Sequence, residues 1–267
     1  MNLSNKEIIH IFGENIDYIQ FRKLLQYKDT INHAYTLRNN NINYGPNLTK
    51  EEYKNNYNLL CQELNLNVNN IIRPYQQHTS NVKVINVKDK DIEINPNYLN
   101  NVDGLITNKR DIILATTNAD CILFLIYDPI NKVIANVHSG WRGSLNTIVT
   151  NTLTEMHETY NSNYQDIICC ICPSIHKCHF EVDKDVKELF YNKFKYLKNL
   201  DDIIEKKGNK YHIDTILLNT TIMLDLGLKK ENIIDSGICS VCYSKYINSY
   251  RKDKNNYKLS TAIITLK

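Results

Sequence analysis

The stretch from Leu114 to Gly143, LATTNADCILFLIYDPINKVIANVHSGWRG, constrains this chain more than any other. Two apolar runs, Ile122 to Tyr127 and Val133 to Val137, flank a turn at Asp128-Pro129-Ile130-Asn131, which predicts a hairpin or two neighbouring strands. Asp120-Cys121 precedes the first run and His138-Ser139-Gly140-Trp141-Arg142-Gly143 follows the second, so a thiolate and an imidazole come to one edge of a sheet. Both side chains bind zinc, and a site with three protein ligands keeps a fourth position for water or substrate. A third ligand has to come from elsewhere in the chain. The small residues after His138 let backbone approach a ligand closely, while Arg142 offers a fork of donors to an anion. On spacing alone a plainer reading stands beside this one, with Cys121 a buried core thiol and Trp141 the packing of a turn.

Asn118-Ala119-Asp120-Cys121 followed by the hexapeptide His138 to Gly143 resembles the signature of the laccase-domain family, also called multicopper polyphenol oxidase-like or YfiH-type. Its members are described as zinc-dependent purine nucleoside phosphorylases, often with adenosine deaminase and methylthioadenosine phosphorylase side activities. Gln76-Gln77-His78 resembles the family's Gln-x-His segment, and Val102 to Thr107 resembles its Asp-Gly-x-x-Thr segment. Gly237-Ile238-Cys239-Ser240 and Ser249-Tyr250-Arg251 resemble its C-terminal Cys-Thr and Phe-Ser-Tyr-Arg elements. Order and spacing agree over nearly the whole chain, and the hexapeptide is the most specific match.

The resemblance implies one domain over 1–267, in a layered α/β/β/α arrangement with mixed sheets. It implies Zn²⁺ held by His78, Cys121 and His138, the same three forming the catalytic set, with copper less favoured. Arg142, Arg251, Gln76 and Asp120 form the expected contacts to a purine nucleoside and phosphate. Alternatives stay open for several of these. Gln76 could be a solvated glutamine, Arg142 could pair with a carboxylate, and Tyr250-Arg251 could be a surface pair. Three departures concern the pocket rim. Ile122-Leu123 stands where relatives carry a proline, and Cys172-Pro173-Ser174-Ile175 replaces a Gly-Pro segment. Arg38-Asn39-Asn40-Asn41 lacks the glycines of the family loop.

Elsewhere the chain reads as an α+β protein, because strands and helices alternate without a regular βαβ rhythm. Thr49 and Glu52 form a capping box for a helix over about 50–65, with Tyr53, Tyr57, Leu60, Cys61 and Leu64 on its buried face. Strands are expected at 32–37, 71–75, 81–87, 112–117, 166–172, 233–238 and 261–266. Asp91 to Val102 reads as a connection with a turn at Asn95-Pro96-Asn97, and Asp103 before Gly104 reads as a turn former outside the catalytic set. A helix is expected from Ser144 to Tyr160, its N-terminus directly after Gly143 and favourable to phosphate beside Arg142. Another should carry Val182, Val186, Leu189 and Phe190, and the lysine-rich segment to Lys210 should be an exposed helix or loop. Asp214 is a plausible cap for a further helix stopped near Gly227.

A net charge of +3 implies neither nucleic acid nor membrane as partner. No export signal is evident, so the eight cysteines read as reduced thiols or metal ligands of a cytoplasmic protein. Cys169, Cys170, Cys172, His176, Cys178 and His179 with Cys239-x-x-Cys242 make a rival constellation for a structural zinc. Strand alternation opposes the use of all of them, because Cys169 and Cys170 must face opposite ways. No Gly-rich dinucleotide or P-loop fingerprint is present. Three readings therefore compete with phosphorolysis: a Cys121-His138 thiol hydrolase or amidase editing cell-wall precursors, a copper-dependent polyphenol oxidase, and a zinc-stabilised binding protein. Oligomeric state is left open.

Overall fold

The computed structural model describes residues 1–39, 41–86 and 99–267. The turn expected at Asn95-Pro96-Asn97 lies outside them. In chain order the described strands are β1 (Ile8–Ile11), β2 (Tyr18–Phe21), β3 (Ile31–Thr36), β4 (Ile71–Ile72), β5 (Val82–Val84), β6 (Gly104–Thr107), β7 (Ile113–Asn118) and β8 (Ile122–Asp128). They continue with β9 (Val133–Ser139), β10 (Ile168–Ile171), β11 (Glu181–Val182), β12 (Ile204–Lys207), β13 (Lys210–Ile213), β14 (Ile233–Asp235) and β15 (Ser260–Leu266). One sheet has the order β1-β2-β3-β15-β7-β4, a second β14-β10-β8-β9-β6-β5, and a small third β11-β13-β12. Both larger sheets are mixed. β4 runs parallel to β7 and β5 to β6, whereas most other pairs are antiparallel.

The expected hairpin is β8–β9, in register from Ile122 opposite Ser139 to Asp128 opposite Val133. Every residue of both strands is buried, which is why they read as continuous apolar runs and not as alternation. Alternation instead sorts their side chains between two cores. Leu123, Leu125 and Tyr127 pack with Leu114, Ala262 and Ile264 between the large sheets. Ile122, Phe124 and Ile126 face Ile148, Val149, Leu153 and Met156 of the helix Ile148–Tyr160. On the far side of the first sheet, Tyr53, Tyr57, Leu60 and Cys61 of the helix Lys50–Leu64 cover Ala34, Ile113, Ala115 and Ile263. The result is a helix–sheet–sheet–helix stack. The capping box of Thr49 and Glu52 starts the first helix, and Asn65 ends it in the left-handed region.

A polar clamp crosses the layer between the sheets. Asn136 on β9 donates to the Leu114 carbonyl on β7 at 2.9 Å and to the Ala262 carbonyl on β15 at 2.8 Å. Its own carbonyl accepts from the Thr116 hydroxyl.

Three expectations are corrected. The helix expected from Ser144 to Tyr160 is broken into Trp141–Leu145 and Ile148–Tyr160, with Thr147 left-handed at φ 55 between them. Gly143 therefore lies inside a single turn of helix, and the longer helix does not begin beside Arg142. The strand expected at 71–75 pairs only over Ile71–Ile72. The lysine-rich segment is neither helix nor loop alone, since beyond the helix Lys184–Phe194 it holds the hairpin β12–β13. Among the described residues no helix is long and apolar enough to cross a membrane.

His33 on β3 makes stability depend on pH. Its ring is buried and its Nε2 accepts from the Phe21 amide at 2.8 Å, so the neutral form is required, and burial pushes its pKa from 6.5 down to about 3. The unfolded chain takes up this proton first, so the contribution of His33 is full above about pH 6.5 and is lost as pH falls below it. Between about pH 7.5 and about pH 5.5, urea unfolding should show a loss on the order of 1 kcal/mol larger in the wild type than in His33→Gln. Equal losses in the two proteins would refute this account.

Candidate active site

Three chain segments meet where the two large sheets adjoin. His78 lies in the loop after β4, Cys121 on the link by which the chain leaves β7 and enters β8, and His138 near the end of β9. One ligand-type atom from each lies within 4.8 Å of the others. Cys121 Sγ is 3.8 Å from His78 Nε2, and the two imidazoles meet edge to face with centroids 4.9 Å apart. His78 holds a left-handed backbone at φ 60, uncommon for a residue with a Cβ. Gly140 closes over the group. A Cβ there would lie 2.5 Å from His78 Cδ2 and 3.3 Å from Cys121 Sγ, so only glycine leaves the ligands undisturbed.

Asp103 explains why the loop and the rings hold these positions. Its buried carboxylate accepts from the backbone amides of Gln77, His78 and Thr79, at 3.2, 3.1 and 2.8 Å, and from the Thr79 hydroxyl at 2.7 Å. The same carboxylate lies 2.7 Å from His138 Nδ1. That contact orients the ring and leaves Nε2 for a ligand, the carboxylate–histidine arrangement seen behind metal-binding imidazoles. Burial opposes ionisation of Asp103, yet His138 and Thr79 hold its carboxyl below the ordinary range. The turn-former reading of this residue misses its role, because its partners lie 25 and 35 positions away.

The site is strongly polarised. Burial raises the Cys121 thiol, but the His138 and His78 imidazoles outweigh it and bring the pKa down to about 6. Burial likewise disfavours the His138 imidazolium, but Cys121 and Asp103 raise its pKa to about 9. One thiolate and two imidazoles suit a borderline-soft divalent ion such as Zn²⁺, and three ligands leave a position open. Asp103→Asn should weaken binding of a divalent metal ion offered to this group by about 10- to 100-fold, measured by chelator competition. Unchanged retention would limit Asp103 to shaping the loop.

The three residues line a cavity of about 660 Å³. Gln76 and Asp120 border it with their polar groups largely committed to the protein. Gln76 donates to the Thr117 carbonyl at 2.7 Å and accepts from the Thr117 amide at 2.8 Å. The Asp120 carboxylate accepts from Ser240 Oγ and from the Arg251 amide, each at 2.6 Å. Arg142 and Arg251 are exposed at the rim. Arg142 lies over the Trp141 ring at 4.2 Å, and Arg251 donates to the Glu181 carbonyl at 3.2 Å. Neither has an acidic partner among the described residues. Sequence reasoning missed Arg73, a buried guanidinium on the cavity wall that donates to the Tyr44 carbonyl at 2.7 Å. It also missed the anchoring role of Asn118, whose amide donates to the Cys121 carbonyl at 2.6 Å and the Pro173 carbonyl at 3.0 Å. A buried arginine has no periodic signal, and only the fold reveals it.

The sequence profile of the family described as "Multi-copper polyphenol oxidoreductase laccase" matches residues 32–267, a span that contains the whole His-Cys-His group. The chain belongs to this family. A purine nucleoside phosphorylase from Bacteroides thetaiotaomicron is 29% identical over 204 residues, covering 76% of this chain and 75% of its own. A protein named adenosine deaminase RL5, from an unknown prokaryotic organism, is 28% identical over 209 residues, covering 76% and 78%. The crystal structure of a Bacillus licheniformis protein named YfiH matches the fold with TM-score 0.87 at 21% identity, over 97% of this chain and 99% of that one.

Proposed function

We propose that this chain is a zinc-dependent purine nucleoside phosphorylase, converting adenosine or inosine and phosphate to free base and ribose 1-phosphate. Methylthioadenosine is a further candidate substrate, and deamination of adenosine a side activity. The observation that carries the reading is the His78–Cys121–His138 group, braced by Asp103, in the wall of a cavity with two arginines at its mouth. Bound Zn²⁺ would supply a Lewis acid with an open coordination position.

The remaining work falls to the chain's own residues. Phosphorolysis breaks the bond between C1′ and the purine nitrogen and forms one between C1′ and a phosphate oxygen, the electron pair leaving with the base. Arg142 and Arg251, without an acidic partner among the described residues, bring positive charge to the rim, where they would hold the phosphate against the sugar. Ile175, Phe180 and Trp141 give the cavity apolar surface for a flat base. The apolar walls lower the local dielectric, so the charges developing on sugar and base are felt more strongly than in open water.

The test is to purify the protein without a metal-chelating tag, measure zinc, and incubate it with inosine or adenosine with and without phosphate. Free base and ribose 1-phosphate should appear only with phosphate. Ammonia release alone would make it a deaminase. Amide cleavage by metal-free protein would assign Cys121 the part of a nucleophile instead, and no turnover on any of these substrates would leave a metal-stabilised binding protein.

A further inference from the structure

The structure divides the six cysteines that follow Cys121 into two kinds. Cys169, Cys170 and Cys172 are buried in the cores on opposite faces of β10 and its continuation, Cys169 with the outer helices and the other two between the sheets. Cys178, His179, Cys239 and Cys242 come together elsewhere, their ligand atoms all within 4.8 Å of one another. Cys178 and His179 end the turn before β11, Cys239 bridges to Ser174 in the segment after β14, and Cys242 lies in the turns that follow it.

Five separations within this group lie near the edges of a tetrahedron. Zinc bonds of about 2.3 Å to sulfur and about 2.0–2.1 Å to nitrogen set tetrahedral edges of about 3.8 Å between sulfurs and about 3.6 Å between sulfur and nitrogen. Cys178 Sγ lies 3.6 Å from Cys239 Sγ and 3.8 Å from Cys242 Sγ. His179 Nδ1 lies 3.2, 3.7 and 3.5 Å from the sulfurs of Cys178, Cys239 and Cys242. A single ring nitrogen faces all three sulfurs. The sulfur separations far exceed a disulfide bond of about 2.05 Å, and all these cysteines are free.

We propose that Cys178, His179, Cys239 and Cys242 bind a second zinc ion, as a structural site of three thiolates and one imidazole. Four protein ligands close the coordination sphere, so this ion takes no substrate. It joins two loops that shape the cavity. The first runs from Ser174 to Phe180 and supplies Ile175 and Phe180 to the wall. The second carries Ser240, whose hydroxyl holds Asp120 beside Cys121. Backbone bonds between Ser174 and the Ile238–Ser240 segment already set the loops side by side, so the ligands need little rearrangement.

The inference stands apart from the phosphorylase reading, and metal counting separates the two. The full chain, purified without a chelating tag, should carry two zinc ions, one for each His/Cys group. Cys242→Ser and His179→Ala should each remove one ion and leave the other, and Cys121→Ala should remove only the ion that they retain. Cobalt exchanged into Cys121→Ala should give the intense visible bands of tetrahedral thiolate ligation. The exposed Cys178 and Cys242 thiols should resist alkylation in wild-type protein until a strong chelator is added, a readout that needs no variant to fold. Overturning results are a Cys121→Ala protein without bound metal, immediate alkylation of both thiols before chelation, or an intact mass two hydrogens lighter from a disulfide in this group.

Discussion

Cys121→Ala should lower phosphate-dependent base release by about a thousandfold or more, which corresponds to a loss of about 4 kcal/mol of transition-state stabilisation. It should also remove the metal ion of the His78–Cys121–His138 group. The fold should survive, because Cys121 lines a cavity and its removal opens no void in either core. Urea unfolding of metal-free protein therefore separates a site effect from a collapse, and the variant should keep the wild-type midpoint. Cys121→His makes a sharper comparison, since it keeps a ligand atom while removing the thiolate. Partial recovery of metal and turnover in that variant would support ligation, whereas full activity in Cys121→Ala would remove the residue from the chemistry.

Asn136→Ala should destabilise the protein by about 3 kcal/mol. The side chain is fully buried and makes three hydrogen bonds, all across the space between the large sheets: two donated to carbonyls of β7 and β15 and one accepted from the Thr116 hydroxyl on β7. Each such bond contributes about 1 kcal/mol, and a polar partner left unsatisfied in an apolar layer costs more than the bond itself. Thr116→Val added to Asn136→Ala should recover part of the loss, since it removes the stranded hydroxyl. Urea unfolding of the four proteins in this cycle gives the coupling directly. Additive losses would mean that the clamp is replaced by water.

The sequence conveyed the centre of this molecule better than its edges. β8 and β9 could be read because they are buried on both faces and interrupted only by Asp128-Pro129-Ile130-Asn131. His78, Cys121 and His138 could be picked out by residue type and by the motifs around them, and the fold brings them together. Asp103 was hidden, since Asp before Gly is explained locally by a turn and its real partners are distant in sequence. The break at Thr147 was hidden too. Leu145, Ile148, Val149, Leu153 and Met156 keep a helical spacing across it, and periodicity does not register one left-handed residue. The hairpin β12–β13 was lost among lysines because it is mostly half-buried and has no apolar face strong enough to reveal a period of two. Alternation did exclude Cys169 and Cys170 from a common site, but it could not tell which of the remaining ligands would converge.

The position of β15 bears on how the molecule is made. This strand lies between β3 and β7, and its partners on both sides are synthesised far earlier. While the ribosome is still building residues 140 to 259, β3 and β7 each wait with an unpaired edge. β6, β8, β9 and β10 meanwhile acquire neighbours and a covering helix from adjacent stretches of chain. The two halves of the stack thus mature on different schedules, the second sheet early in all but its edge strand β14 and the first only when its central strand arrives. In that interval the open edges of the first sheet can recruit a strand from another nascent chain, which makes the final seven-residue strand a safeguard against aggregation as well as a structural element.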